Sequence, residues 1–157
     1  GGSGGGGVLC ASDSNIAVDN VVEGLAREGV NVVRVGRPET ARPEVLEHCA
    51  DEIARKTLNL QSSKEGSYDS STRDRVKRAV QEIISGAAVV CCTAIGAGSV
   101  VLLDHVFPRV LIDEAAQATE LATVVPICRG ASQVVLCGDQ CQLPPTVAQD
   151  GLQDEGL

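Results

Sequence analysis

Apolar residues in this chain fall alternately into short continuous runs and into helical repeats. Val8–Ala11 is a short apolar run that predicts a strand. The polar stretch Ser12-Asp13-Ser14-Asn15 follows it and offers helix N-caps. Ile16, Ala17, Val21, Val22, Leu25 and Ala26 then recur at helical spacing until Gly29. Val30–Val35 predicts a second strand, closed by Gly36 and Pro38. From about 39 to 86 the pattern turns rich in charge, with helices predicted over Pro43–Leu58 and Ser71–Ile84 and a polar loop over Asn59–Ser70. This segment reads as a helical insertion standing off the sheet, its charges a solvated face or, more sharply, a nucleic-acid contact. Strands are predicted at Ala87–Thr93, Val110–Asp113 and Gln133–Cys137, a tight turn at Ile95–Gly98, a helix at Thr119–Cys128 and a loop at Gly138–Pro145. Strands alternating with helices at these lengths indicate βαβ units and a parallel sheet, an α/β fold.

Composition sharpens this picture. A chain of 157 residues predicts one domain with a real core. Aromatics are 1% against 43% apolar residues, so the core is built from Val, Leu, Ile, Ala and Cys, as buried parallel strands are. The same scarcity argues against aromatic base-stacking platforms. The net charge of −8, from 21 acidic and 13 basic residues, lacks the broad positive field of a self-sufficient nucleic-acid binder. It leaves room for a local groove that uses backbone N–H and hydroxyl groups.

Seven cysteines, with Cys91 and Cys92 inside an apolar run, suggest buried thiols in a reducing compartment, cytoplasmic or nuclear. Cys137 and Cys141 have no second pair at metal spacing, so no structural zinc is expected. No apolar run approaches a membrane span. Gly1–Gly7, broken only by Ser3, reads as a linker rather than a phosphate loop, because no Lys precedes Lys56. Ala148–Leu157 reads as a truncated tail, and a chain beginning with Gly as a fragment.

The chemistry concentrates at two strand ends. Val110-Leu111-Ile112 delivers Asp113 and Glu114 to the C-terminal edge of a parallel sheet, where ligands bind in open α/β folds. Adjacent carboxylates there can divide labour, one holding Mg²⁺ and the other activating a water. The pair alone equally fits favourable acidic charge at a helix start. A second strand ends in Gly138-Asp139-Gln140-Cys141-Gln142-Leu143-Pro144-Pro145, so two polar clusters can face one crevice. Gln142 is suited to a terminal phosphate without adding charge, on a loop stiffened by two prolines.

Val110–Glu120 (VLIDEAAQATE) and Val134–Pro145 (VVLCGDQCQLPP) resemble motifs II and III of superfamily 1 helicases. Ser12–Asn20 (SDSNIAVDN) and Val89–Gly98 (VVCCTAIGAG) resemble motif Ia and the next strand–loop element of the nonsense-mediated mRNA decay helicase group. The resemblance runs in order over residues 8–147 and implies a RecA-like P-loop NTPase core, incomplete at its N-terminus. It implies an ATP-dependent RNA or DNA helicase with ATP and Mg²⁺ as cofactors. It further implies that Asp113 coordinates Mg²⁺, Glu114 activates the hydrolytic water, and Gln142 contacts the γ-phosphate. Gly138 and Asp139 would then shape the coupling loop, and Gln117 support the site. Ser14, Asn15 and Thr93 would approach single-stranded RNA or DNA; as plain structure, Ser14 is a helix N-cap and Thr93 a strand end. The segment 39–86 would correspond to a helical subdomain that the family inserts.

The departures limit these expectations. The family's phosphate-binding loop should precede Val8, where the chain has only glycine and Ser3. The second RecA-like domain, an expected partner, has no counterpart here. The isolated chain is therefore expected to be inactive, a fragment of an ATP-dependent helicase. Two rivals stand beside it: an ATP-driven switch that does not unwind, and a non-enzymatic truncated module making protein or nucleic-acid contacts.

Overall fold

A computed structural model describes residues 7–60, 69–139 and 141. Five strands form one all-parallel sheet: β1 (Val8–Ser12), β2 (Val32–Arg34), β3 (Val89–Thr93), β4 (Arg109–Asp113) and β5 (Gln133–Leu136), in the order β2-β3-β1-β4-β5. The helices are α1 (Asn15–Arg27), α2 (Ala50–Thr57), α3 (Ser70–Gly86) and α4 (Glu120–Ile127). The expected α/β, parallel-sheet architecture is thus present.

Both faces of the sheet are covered over β1 to β4, which is why those strands are apolar runs rather than alternating ones, whereas every residue of β5 is exposed. On one face, Leu9, Val33, Val90, Val110 and Ile112 pack with Ala50 and Ala54 of α2 and with Val80 and Ile84 of α3. On the other, Cys10, Cys91 and Val32 pack with Val18 and Val22 of α1 and with Val45. Two expectations are corrected here. The helices of the 39–86 segment do not stand off the sheet, since their inner residues belong to its core. Ile16 is 68% exposed, and Val18 takes the buried place beside Val22.

The helix expected over Pro43–Leu58 is broken in two. Pro43–His48 is a 3-10 turn, and Cys49 has extended backbone (φ −72, ψ 127) before α2 begins. Cys49 forms a parallel bridge with Arg34, so the open edge of β2 captures the backbone at that point. A short 3-10 turn at Val100–Leu102 has no expected counterpart and brings Leu102 into the core. Helix ends follow local chemistry. Ser14, Asp69 and Thr119 each cap a helix by accepting the N–H of the third residue onward.

Two charged residues among those described are as buried as the core. Arg34 and Asp19 are each 1% exposed, with Arg34 Nε 2.7 Å from Asp19 Oδ1. Asp19 Oδ2 accepts the Arg42 backbone N–H at 2.8 Å, so both carboxylate oxygens are satisfied. A buried pair of this kind is strongly unfavourable to break from one side, because the remaining charge is stranded in a low-dielectric interior. Asp19→Asn is therefore expected to lower unfolding stability by about 3–5 kcal/mol in urea titrations. A loss below about 1 kcal/mol would show that water reaches Arg34.

Cysteine accessibility divides sharply. Cys10, Cys49, Cys91 and Cys92 are buried, whereas Cys128, Cys137 and Cys141 are exposed. Burial pushes the Cys92 thiol up to about 12 and that of Cys49 to about 11, so neither ionises near neutral pH. An aromatic disulfide reagent at mildly alkaline pH should titrate the three exposed thiols promptly and the four buried ones only after denaturation. Prompt reaction of more than three would show that the core opens locally.

Candidate nucleotide and nucleic-acid edge

The site begins with strand register. Ser12 on β1 is the Cα partner of Thr93 on β3 and of Asp113 on β4. Three neighbouring strands therefore end in one polar row at the C-terminal edge. Alternation along β1 puts Ser12 on the same face as Cys10, and the Asp113 carboxylate acts electrostatically on the Cys10 thiol. Ser12 is 1% exposed and its hydroxyl has no hydrogen-bond partner among the described residues. Sequence patterning treats Ser12 as part of a polar turn; only pairing places it between Thr93 and Asp113.

Beyond Asp113 the chain turns sharply. Glu114 has φ +55, the left-handed region, which costs a non-glycine residue about 1–2 kcal/mol. The surroundings hold it there. Ala115 N–H donates to Cys137 O at 2.8 Å and Cys137 N–H to Ile112 O at 2.8 Å, continuing the parallel ladder past both strands. Gln117 N–H donates to Glu114 O at 2.9 Å, and Gln117 Nε2 donates to Glu114 Oε2 at 3.0 Å. Gln117 thus fixes both the turn and the orientation of the carboxylate.

The loop after β5 is drawn against this turn. A Cβ on Gly138 would lie 2.8 Å from Ala116 N and 3.2 Å from Ala115 N, both backbone atoms with no freedom to retreat. Glycine at this position is therefore a requirement of close approach. Asp139 Oδ1 accepts the Cys141 N–H at 2.9 Å, closing a local turn. Asp113, Glu114, Gln117, Gly138 and Asp139 are thus gathered at the ends of β4 and β5, while Gln142 lies outside the described residues.

The residues expected at a single strand occupy the neighbouring strand ends. Ser14 Oγ accepts the Ala17 N–H at 3.2 Å as the N-cap of α1, and Asn15 is the first residue of that helix. Thr93 Oγ1 accepts the Gly96 N–H at 3.0 Å. Each hydroxyl is used as an acceptor, so its own proton remains free to donate. Arg34 Nη2 donates to Asn15 Oδ1 at 3.0 Å, a contact that patterning does not anticipate. The available signal was a lone Arg within the apolar run Val30–Val35, which has to find a buried acid.

Gly138→Ala should separate the two loops, because the clash involves backbone on both sides. The expected result is a lower melting temperature, equivalent to about 1–3 kcal/mol of overpacking. Amide chemical-shift changes should centre on residues 114–117. A variant with the stability and spectrum of the wild type would show that the loops are not in contact.

Several known proteins are similar to this chain in sequence. The sequence profile of the AAA domain family matches residues 2–79 and 54–150. A Regulator of nonsense transcripts 1 homolog from Arabidopsis thaliana is 37% identical over 156 residues, covering 89% of this chain and 12% of that protein. The ATP-dependent helicase NAM7 of Saccharomyces cerevisiae is 36% identical, over 96% of the chain and 17% of its own length. The DNA polymerase alpha-associated DNA helicase A of Schizosaccharomyces pombe is 33% identical, over 89% of the chain and 25% of its own length. The chain spans a quarter or less of these relatives. The chain belongs to the AAA domain family, and over most of its length it is similar to regulators of nonsense transcripts and to ATP-dependent helicases.

Proposed function

We propose that this segment is the hydrolytic and coupling edge of an ATP-dependent helicase acting on single-stranded RNA or DNA in a longer protein. The observation that carries the reading is the held Glu114. Its backbone is in a strained conformation, its carboxylate is fixed by Gln117, and it adjoins Asp113 at the C-terminal edge of the sheet. Strain of this kind persists where surrounding contacts over-determine it, and it concentrates at functional sites.

The donor set suits Mg²⁺. Among the described residues no group of three or more His, Cys, Asp or Glu could hold a metal ion by itself. Mg²⁺ characteristically takes one or two carboxylates and completes its shell from nucleotide phosphates and water. Asp113 would be its protein ligand, and the bound ion would neutralise charge developing on the phosphates. Glu114 orients a water and accepts its proton, with Gln117 keeping the accepting oxygen in place. Gln142 contacts the γ-phosphate. Gly138 lies against the Glu114 turn, so that loss of the phosphate from Gln142, four residues on, is felt there. Ser14, Asn15 and Thr93 face the strand, and Ser12 links their row to Asp113. The names of the relatives, an ATP-dependent helicase and a DNA helicase among them, support the same reading. The second RecA-like domain completes the cleft.

The G-x-x-x-x-G-K-[ST] pattern does not occur in these 157 residues, so no phosphate-loop Lys is supplied by the chain itself. This observation favours, for the isolated chain, the second reading of a non-enzymatic module that makes protein or nucleic-acid contacts. The two readings separate in phosphate-release assays. The isolated chain should show no turnover. A protein joining this segment to its phosphate loop and second domain should hydrolyse ATP, and Glu114→Gln should slow it by about 10²–10⁴-fold while ATP still binds. Wild-type turnover retained in that variant would remove Glu114 from the mechanism.

A further inference from the structure

Asn15 is exposed at the start of α1, yet its side chain is not free to rotate. Arg34 reaches it from below the surface. Arg34 Nε is 2.7 Å from Asp19 Oδ1 while Nη2 of the same guanidinium is 3.0 Å from Asn15 Oδ1. Two further contacts of Nη2, to Thr40 O and Thr40 Oγ1 at 3.5 Å each, close the pocket. Gly36, at φ +147, passes so close that a Cβ there would lie 3.0 Å from Arg34 Nη1. The guanidinium is therefore held by a buried carboxylate on one side and the β2 exit on the other.

A guanidinium has five donors and no acceptor. It can meet the Asn15 amide only through the oxygen, which leaves Nδ2 directed away from it. No described residue accepts from that nitrogen. Beside it, the Ser14 hydroxyl has its acceptor role filled by Ala17 N–H and retains its proton for donation. Both groups are neutral, and both offer hydrogens.

We propose that Arg34 is a positioning residue that locks the Asn15 amide oxygen inward, so that Asn15 Nδ2 and the Ser14 hydroxyl form a donor pair for a phosphodiester oxygen of a single strand. The proposal rests on the single-strand contact assigned to Ser14 and Asn15 under the proposed function. It adds which atom makes the contact and what aims it. Arginine is required because one planar fork must meet Asp19 and Asn15 together, which the single ammonium of Lys does not do. Neutral donors also fit a chain of net charge −8, where contacts cannot draw on a positive field.

The test is fluorescence anisotropy of the full chain with a short fluorescein-labelled single strand, at low and moderate salt. Arg34→Lys keeps a cation for Asp19, and circular dichroism checks its folding. It should weaken binding about tenfold, the scale of a lost hydrogen bond. In an Asn15→Ala background the same substitution should have no further effect. Wild-type ¹⁵N relaxation should show an ordered Asn15 side-chain amide that becomes mobile in Arg34→Lys. Asn15→Asp guards against a misfolded lysine variant: its carboxylate still pairs with Arg34, so melting should hold or rise while binding falls. The Arg34→Lys loss should be nearly equal at both salt concentrations, because no Lys or Arg leaves a phosphate. The Asn15→Asp loss should instead be larger at low salt, where its carboxylate repels the strand. An Arg34→Lys loss that persists in the Asn15→Ala background would overturn the positioning role, as would Asn15→Asp binding at wild-type strength. A wild-type chain that binds no strand would instead overturn the contact itself, and the single-strand part of the proposed function with it.

Discussion

Register between parallel strands is the constraint from which the site follows. β1 lies at the centre of the sheet and is in step with β3 on one side and β4 on the other. A slip of one residue would turn every β1 side chain to the opposite face, moving Leu9 out of one core and Cys10 out of the other. Packing on both faces therefore pins the alignment. The polar ends of three strands then have to meet in a row, with Ser12 between Thr93 and Asp113. The ladder from Cys137 to Ile112 and from Ala115 to Cys137 carries the alignment one turn further, to Glu114 and Gly138.

The two faces of the sheet contribute differently. The face under α2 and α3 is apolar throughout its core, whereas the face under α1 contains the Arg34–Asp19 pair. A hydrophobic pair of similar volume would often be at least as stable as a buried ion pair. The pair instead ties the first helix to the end of β2 and to the loop around Arg42 through directional bonds. That directionality sets where the start of α1, and so Ser14 and Asn15, stands relative to the sheet edge.

Much of this architecture is legible in the sequence. Continuous apolar runs at Val8, Ala87 and Val110 mark buried parallel strands, and the alternation of strand and helix marks the fold class. Adjacent carboxylates after such a run offer a candidate strand-end site, which becomes specific only beside the second polar cluster after β5. What stayed hidden depends on contacts distant in sequence. Periodicity over Pro43–Leu58 carries no trace of the break at Cys49, which arises from pairing with Arg34. Ile16 and Val18 both fit an apolar stripe, and only docking of α1 decides which is inside. The left-handed turn at Glu114 and the close approach at Gly138 arise from two loops meeting, and neither loop alone implies it.

The central place of β1 also bears on how the chain acquires its structure. Its partners on β3 and β4 lie about 80 and 100 residues downstream, so this strand is synthesised well before the segments that enclose it. Local helices form early, but the sheet nucleates only when distant segments close large loops against Val8–Ser12. Until then an apolar strand with both edges open is exposed, the species most prone to wrong pairing between chains. Slow, concentration-sensitive refolding is thus built into the topology that aligns the site.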